Sequence, residues 1–104
     1  MNSEIMKVVH SLTPIQAAVL RVMAAMGEAY APFEVTTLQK YRQALILAGI
    51  PDAEARADVP VVQSSLATLQ DKKLVWRATR GVYAVEEQNL VEQLEQAGLL
   101  NGLK

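Results

Sequence analysis

The apolar residues of this chain change their spacing once, at Leu74, and that change limits what the chain can fold into. Before it they recur at three- and four-residue steps, as in helices buried along one face. After it come two short runs rich in β-branched and aromatic residues, which favour strands. Thr13 stands where an N-cap belongs, and Pro14 follows at the first helical position, where a missing N–H costs nothing. Ile15, Val19, Val22, Met23 and Met26 then form one apolar stripe, which Gly27 ends. Ile5, Val8 and Val9 predict a shorter leading helix over Glu4 to His10. A second long helix is expected from Thr36 or Thr37, with Leu38, Tyr41, Leu45 and Ala48 in register. Gly49 and Pro51 break it, and Asp52 to Ala57 has room for one extra turn capped by Asp52. Asp58 reads as the N-cap of a third helix with Pro60 in its first turn. Val62, Leu66 and Leu69 face inward there, and Ser64, Ser65, Thr68, Asp71 and Lys72 fall on the other faces.

Leu74 to Ala78 and Val82 to Val85 are the two strands, joined by Thr79-Arg80-Gly81, a three-residue connection that makes a β-hairpin. A closing helix is expected from about Glu86 to Ala97, with Leu90, Val91 and Leu94 inward and Gly98 at its end. Three helices followed by a small β-ribbon is the winged-helix order. The expected fold is thus mainly α with a small β-hairpin: a three-helix helix-turn-helix core plus a wing, flanked by terminal helices. It forms one domain, with a leading helix over 1–12, the core and wing over 13–85, and a closing helix over 86–104.

The run from Val61 to Arg77, followed by Arg80-Gly81-Val82-Tyr83, resembles a winged-helix recognition helix leading into its wing. Leu66, Leu69, Leu74 and Val75 stand at the family's aliphatic positions; Lys73 stands where many members have glycine. The resemblance covers roughly Leu12 to Leu94 and implies the fold more narrowly than the function, because the same fold also serves as a protein-binding module. The segment Val35 to Arg42, the Ala48-Gly49-Ile50 break and the closing helix are also similar to the C-terminal winged helix of archaeal origin-recognition replication initiators. Those proteins carry an ATPase domain as well. No GxxxxGK followed by Ser or Thr occurs here, so only their DNA-binding part is implied.

Composition excludes more than it assigns. At 104 residues there is room for one core, and no apolar run reaches the roughly 18 residues of a membrane span. The start Met1-Asn2-Ser3-Glu4 lacks the basic residues of a secretory signal, which leaves the cytoplasm as the expected location. With no cysteine and one histidine, His10, there is neither a thiolate or paired-histidine metal site nor a Cys/His dyad. Ser64-Ser65 lacks a glycine elbow and a nearby base, and Glu86-Glu87 sits where acids complement a helix dipole. No catalysis and no cofactor is expected.

The charge is unevenly placed. The net charge is −1, yet from Pro60 to Ala84 the bases Lys72, Lys73, Arg77 and Arg80 face one acid, Asp71. Past Val85, Glu86, Glu87, Glu92 and Glu95 are opposed only by Lys104. A DNA-binding reading puts Val61, Gln63, Ser64, Ala67 and Thr68 of the third helix toward a major groove, where Gln63 can pair with adenine. Lys72, Lys73, Arg77 and Arg80 then meet phosphates, with Arg80 at the hairpin tip toward a minor groove. On this reading the chain is a regulator of transcription or replication. With so few bases per chain it would act as a homodimer on double-stranded DNA. Leu94, Leu99, Leu100 and Leu103, and at the other end Ile5, Val8 and Val9, either pack on that second chain or complete the core of their own. The alternative reading is a module that docks a protein partner through the acidic, leucine-rich C-terminal helix. Trp76 lies on one strand face, as a packing residue at the hairpin base or a stacking surface. Tyr30, Phe33 and Tyr41 are expected in the core.

Overall fold

The computed structural model describes residues 3–52, 57–79, 82–86 and 88–103. Its order is α1 (Ser3–His10), α2 (Pro14–Met26), a 3-10 turn (Gly27–Ala29), α3 (Val35–Leu47), α4 (Val59–Asp71), β1 (Val75–Thr79), β2 (Val82–Val85) and α5 (Gln88–Gln96). The protein is therefore mainly helical with one small antiparallel hairpin. Among the described residues, no helix is long and apolar enough to cross a membrane.

α2 is the hub. It packs against α3, α4, β2 and α5, so it is buried over more than the single stripe its spacing suggests: Ala18, Val19, Leu20, Val22, Met23 and Ala24 are all inside. Its start is fixed by a capping box. The Thr13 hydroxyl accepts the Gln16 N–H at 3.4 Å, and the Gln16 side chain accepts the Thr13 N–H at 3.1 Å. α4 starts on Asp58, whose carboxylate accepts the Val61 N–H at 3.2 Å. Val62, Leu66 and Leu69 point into the core as their spacing requires. Ser65 joins them, because its hydroxyl donates to the Val61 carbonyl at 2.8 Å and so enters without an unsatisfied group.

α3 begins at Val35, one turn-fraction earlier than its threonines suggest, with Glu34 as an N-cap that makes no side-chain bond. Thr37 is instead buried, its hydroxyl 3.8 Å from the Met26 sulfur. Ala44 occupies the core position expected of Ala48, which is the exposed C-cap. The extra turn anticipated over Asp52 to Ala57 falls on 53–56, outside the described residues.

Three helices end alike, in the Schellman arrangement. Ile50 N–H reaches Leu45 O and Gly49 N–H reaches Ile46 O after α3; Leu74 and Lys73 do the same to Leu69 and Gln70 after α4, and Leu99 and Gly98 to Leu94 and Glu95 after α5. The left-handed residue is Gly49 at φ 76°, Lys73 at φ 64° and Gly98 at φ 75°.

The hairpin pairs Val75 with Val85, Trp76 with Ala84 and Arg77 with Tyr83, then slips by one so that Thr79 meets Val82. Thr79 thus belongs to the strand rather than to a three-residue connection, because the slip absorbs one residue of β1. Arg80 and Gly81 lie outside the described residues. Glu86 extends the hairpin, its N–H on Leu74 O at 2.9 Å, and α5 starts later than the sequence suggests, at Gln88.

The C-terminal leucines complete the core of their own chain: Leu94 and Leu103 are 0% exposed, Leu100 is 2% exposed and Leu99 is half-buried. Leu94, Leu100 and Leu103 therefore present no exposed side chain to a second chain. Behind them the tail is fastened by side chains of α2 and α3 to its carbonyls. Arg21 Nε donates to Leu99 O at 2.6 Å, Lys40 Nζ to Leu103 O at 3.1 Å and Gln43 Nε2 to Gly102 O at 2.7 Å. At the other end Val9 is buried and Val8 half-buried, while the side chain of Ile5 is outside the described residues. Tyr30, Pro32 and Tyr41 plug the first loop, and Phe33, expected with them, is 39% exposed. Tyr41 donates to Pro32 O at 3.0 Å, so the 2.6 Å contact between the two phenols has Tyr30 as donor.

Candidate nucleic-acid interface

The outward line of α4 is small. Pro60, Ser64 and Ala67 stand opposite the buried Val62, Leu66 and Leu69, so another surface can approach the helix backbone closely along that line. Gln63 is exposed on one side of it, and Val61 and Thr68 are half-buried on the other. The Ser64 hydroxyl donates to Pro60 O at 3.1 Å and Val61 O at 3.4 Å, so it faces outward as an acceptor rather than a donor. The line ends at Asp71, the one carboxylate on this helix face.

Next to α4 the hairpin forms the wall of an open groove of ≈ 650 Å³. Gln63, Ala67, Gln70 and the acid Asp71 line it from the helix, Arg77 and Tyr83 from the hairpin, and Phe33 from the loop before α3. The cross-strand pairing of Arg77 with Tyr83 sets the guanidinium 5.9 Å from the centroid of the ring. That cation–π contact steers the base over the groove and adds about 0.5–1 kcal/mol at an exposed site. Lys72 and Lys73 are exposed at the C-terminal end of α4, where cations also satisfy the helix dipole.

The structure therefore brings Gln63, Ala67 and Arg77 together in one groove, while Lys72 and Lys73 follow at the C-terminal end of α4. It leaves Val61, Ser64 and Thr68 on the outer side of α4. Arg80, the expected tip contact, is outside the described residues. Phe33, Gln70 and Tyr83 were not anticipated from the sequence. Tyr83 is within reach of the sequence, since the three-residue connection expected there places it across from Arg77, whereas Phe33 comes to the groove only through tertiary packing. Trp76 is not in the core: it is 47% exposed near the base of the hairpin, where it pairs with Ala84. No family model, no curated protein and no solved structure matches this chain.

Proposed function

We propose that this chain binds double-stranded DNA, with α4 in the major groove and the hairpin against the phosphate backbone, as a regulator of transcription or replication. The observation that carries this reading is the shared groove. A helix whose outward line is small and carries one acid, Asp71, runs beside a hairpin that holds Arg77 over it, and Lys72 and Lys73 follow at the C-terminal end of the helix. Ser64 and Ala67 let the helix settle against base edges, Gln63 has the amide that pairs bidentately with adenine, and Val61 and Thr68 flank it. The three bases supply the sequence-independent attraction. Asp71 works against it and sets the limit of the contact at the last helical turn.

The test is fluorescence anisotropy with a random-sequence duplex at low salt. Arg77→Ala is expected to weaken binding to every sequence, whereas Gln63→Ala changes which sequences are preferred. Absence of binding by the wild type at low salt would sink the proposal. The competing protein-docking reading keeps the acid Glu92 on the surface of α5 but loses its leucines to the core.

A further inference from the structure

Of the three Schellman ends, two use glycine at the left-handed position and α4 uses Lys73. At φ 64° the lysine Cβ crowds its own backbone, a strain that Gly49 and Gly98 do not carry. Strain of this sort is retained where the side chain has work that glycine cannot do. Lys73 lines an open recess of ≈ 460 Å³ together with Gln70, Val75, Trp76, Arg77 and Glu86. The indole there is nearly half exposed, and its cross-strand partner is Ala84, too small to cover it.

The recess combines a flat aromatic surface, a primary amide, two cations and one carboxylate, with the positive charge in excess. A ligand that uses all of these is planar, hydrogen-bonding and anionic, which describes a nucleotide. Bases inside a duplex are covered by their neighbours, so an exposed indole serves a base that has left the stack. Arg77 lines both this recess and the groove beside α4, and so joins the two by one cation.

We propose that the recess holds one unpaired nucleotide, its base stacked on Trp76 and its phosphate against Lys73. The chain then prefers duplex DNA with a single-stranded extension to blunt duplex. This rests on the DNA-binding reading and adds the form of DNA recognised.

Trp76 is the only tryptophan, so its emission reports on the recess directly. The full chain is titrated with a labelled blunt duplex and with the same duplex bearing a short thymidine extension, read by anisotropy. Tryptophan emission is followed in parallel with the unlabelled DNAs. The extension is expected to tighten binding about ten-fold and to quench the emission. Trp76→Ala removes that gain while binding blunt duplex like the wild type and melting at the same temperature; Trp76→Phe keeps most of the gain. Equal affinity for the two DNAs, unchanged emission, or a gain that survives Trp76→Ala overturns the recess proposal and leaves duplex binding standing. Failure to bind either DNA at low salt overturns both.

Discussion

Lys73 is the residue at which local stability and surface chemistry pull apart. Glycine at this φ would relieve about 1 kcal/mol, which for a domain of this size raises Tm by about 4 °C or more. Lys73→Gly is thus expected to melt higher and to bind DNA less well, and a thermal melt beside a binding curve tests both. A melting point that does not rise would mean the left-handed lysine is compensated locally. The two buried tyrosines make a different kind of residue-level claim. Burial holds the phenols of Tyr30 and Tyr41 well above the usual tyrosine range, with Tyr41 adding to the effect on Tyr30. A group whose pKa is raised by folding contributes fully to stability below its unfolded value, and that contribution is lost progressively as pH rises from there towards the folded value. Stability should therefore fall as pH climbs past about 10, with these two phenols ionising only on unfolding. Ultraviolet absorbance and circular dichroism followed together on alkaline titration would check this. Tyr41→Phe should cost more than Tyr30→Phe, about 1–3 kcal/mol in urea melts, because it orphans both the Tyr30 hydroxyl and the Pro32 carbonyl.

At the scale of elements, what the sequence announces is what is decided locally. Thr13 with Pro14 and Asp58 with Pro60 mark two helix starts because capping involves side chains and backbone only three residues apart. The change of spacing at Leu74 marks the hairpin for the same reason. Elements whose fate depends on distant partners are less legible. Thr37 and Ser65 look like surface residues until α2 and the rest of the core close over them. The C-terminal leucines read equally well as a dimer seam or a core, and only the geometry of α2 and α3, which receive them, decides. Leu103→Ala should accordingly destabilise the fold by about 2–5 kcal/mol in denaturant melts and leave the molar mass by light scattering unchanged. A loss of mass without loss of stability would return these leucines to an intermolecular role. The groove beside α4 was half legible: Gln63 and Arg77 are visible as types at suitable places, but Phe33 reaches them through folding alone.

For the whole molecule, the small net charge conceals a local excess of bases. Around the end of α4 Lys72, Lys73 and Arg77 outnumber the exposed acids Asp71 and Glu86, and the exposed acid Glu92 is carried on α5. At physiological salt, charges more than about 8 Å apart are largely screened, so the local cluster rather than the net charge governs an encounter with DNA. Three neutralised phosphates give a log–log salt slope of about −2.7, or a roughly forty-fold loss of affinity between 50 and 200 mM salt. Arg77→Ala should flatten that slope by about 1, and a flat slope in the wild type would remove phosphate contacts from the mechanism.

The clasp on the tail has a consequence for synthesis. Arg21 meets Leu99 across 78 positions of sequence, and Lys40 meets Leu103 across 63. Residues 99–103 are made long after α2 and α3, so until that stretch leaves the ribosome the part of the two helices it meets lies open, and the fold closes there only once the stretch is free to dock.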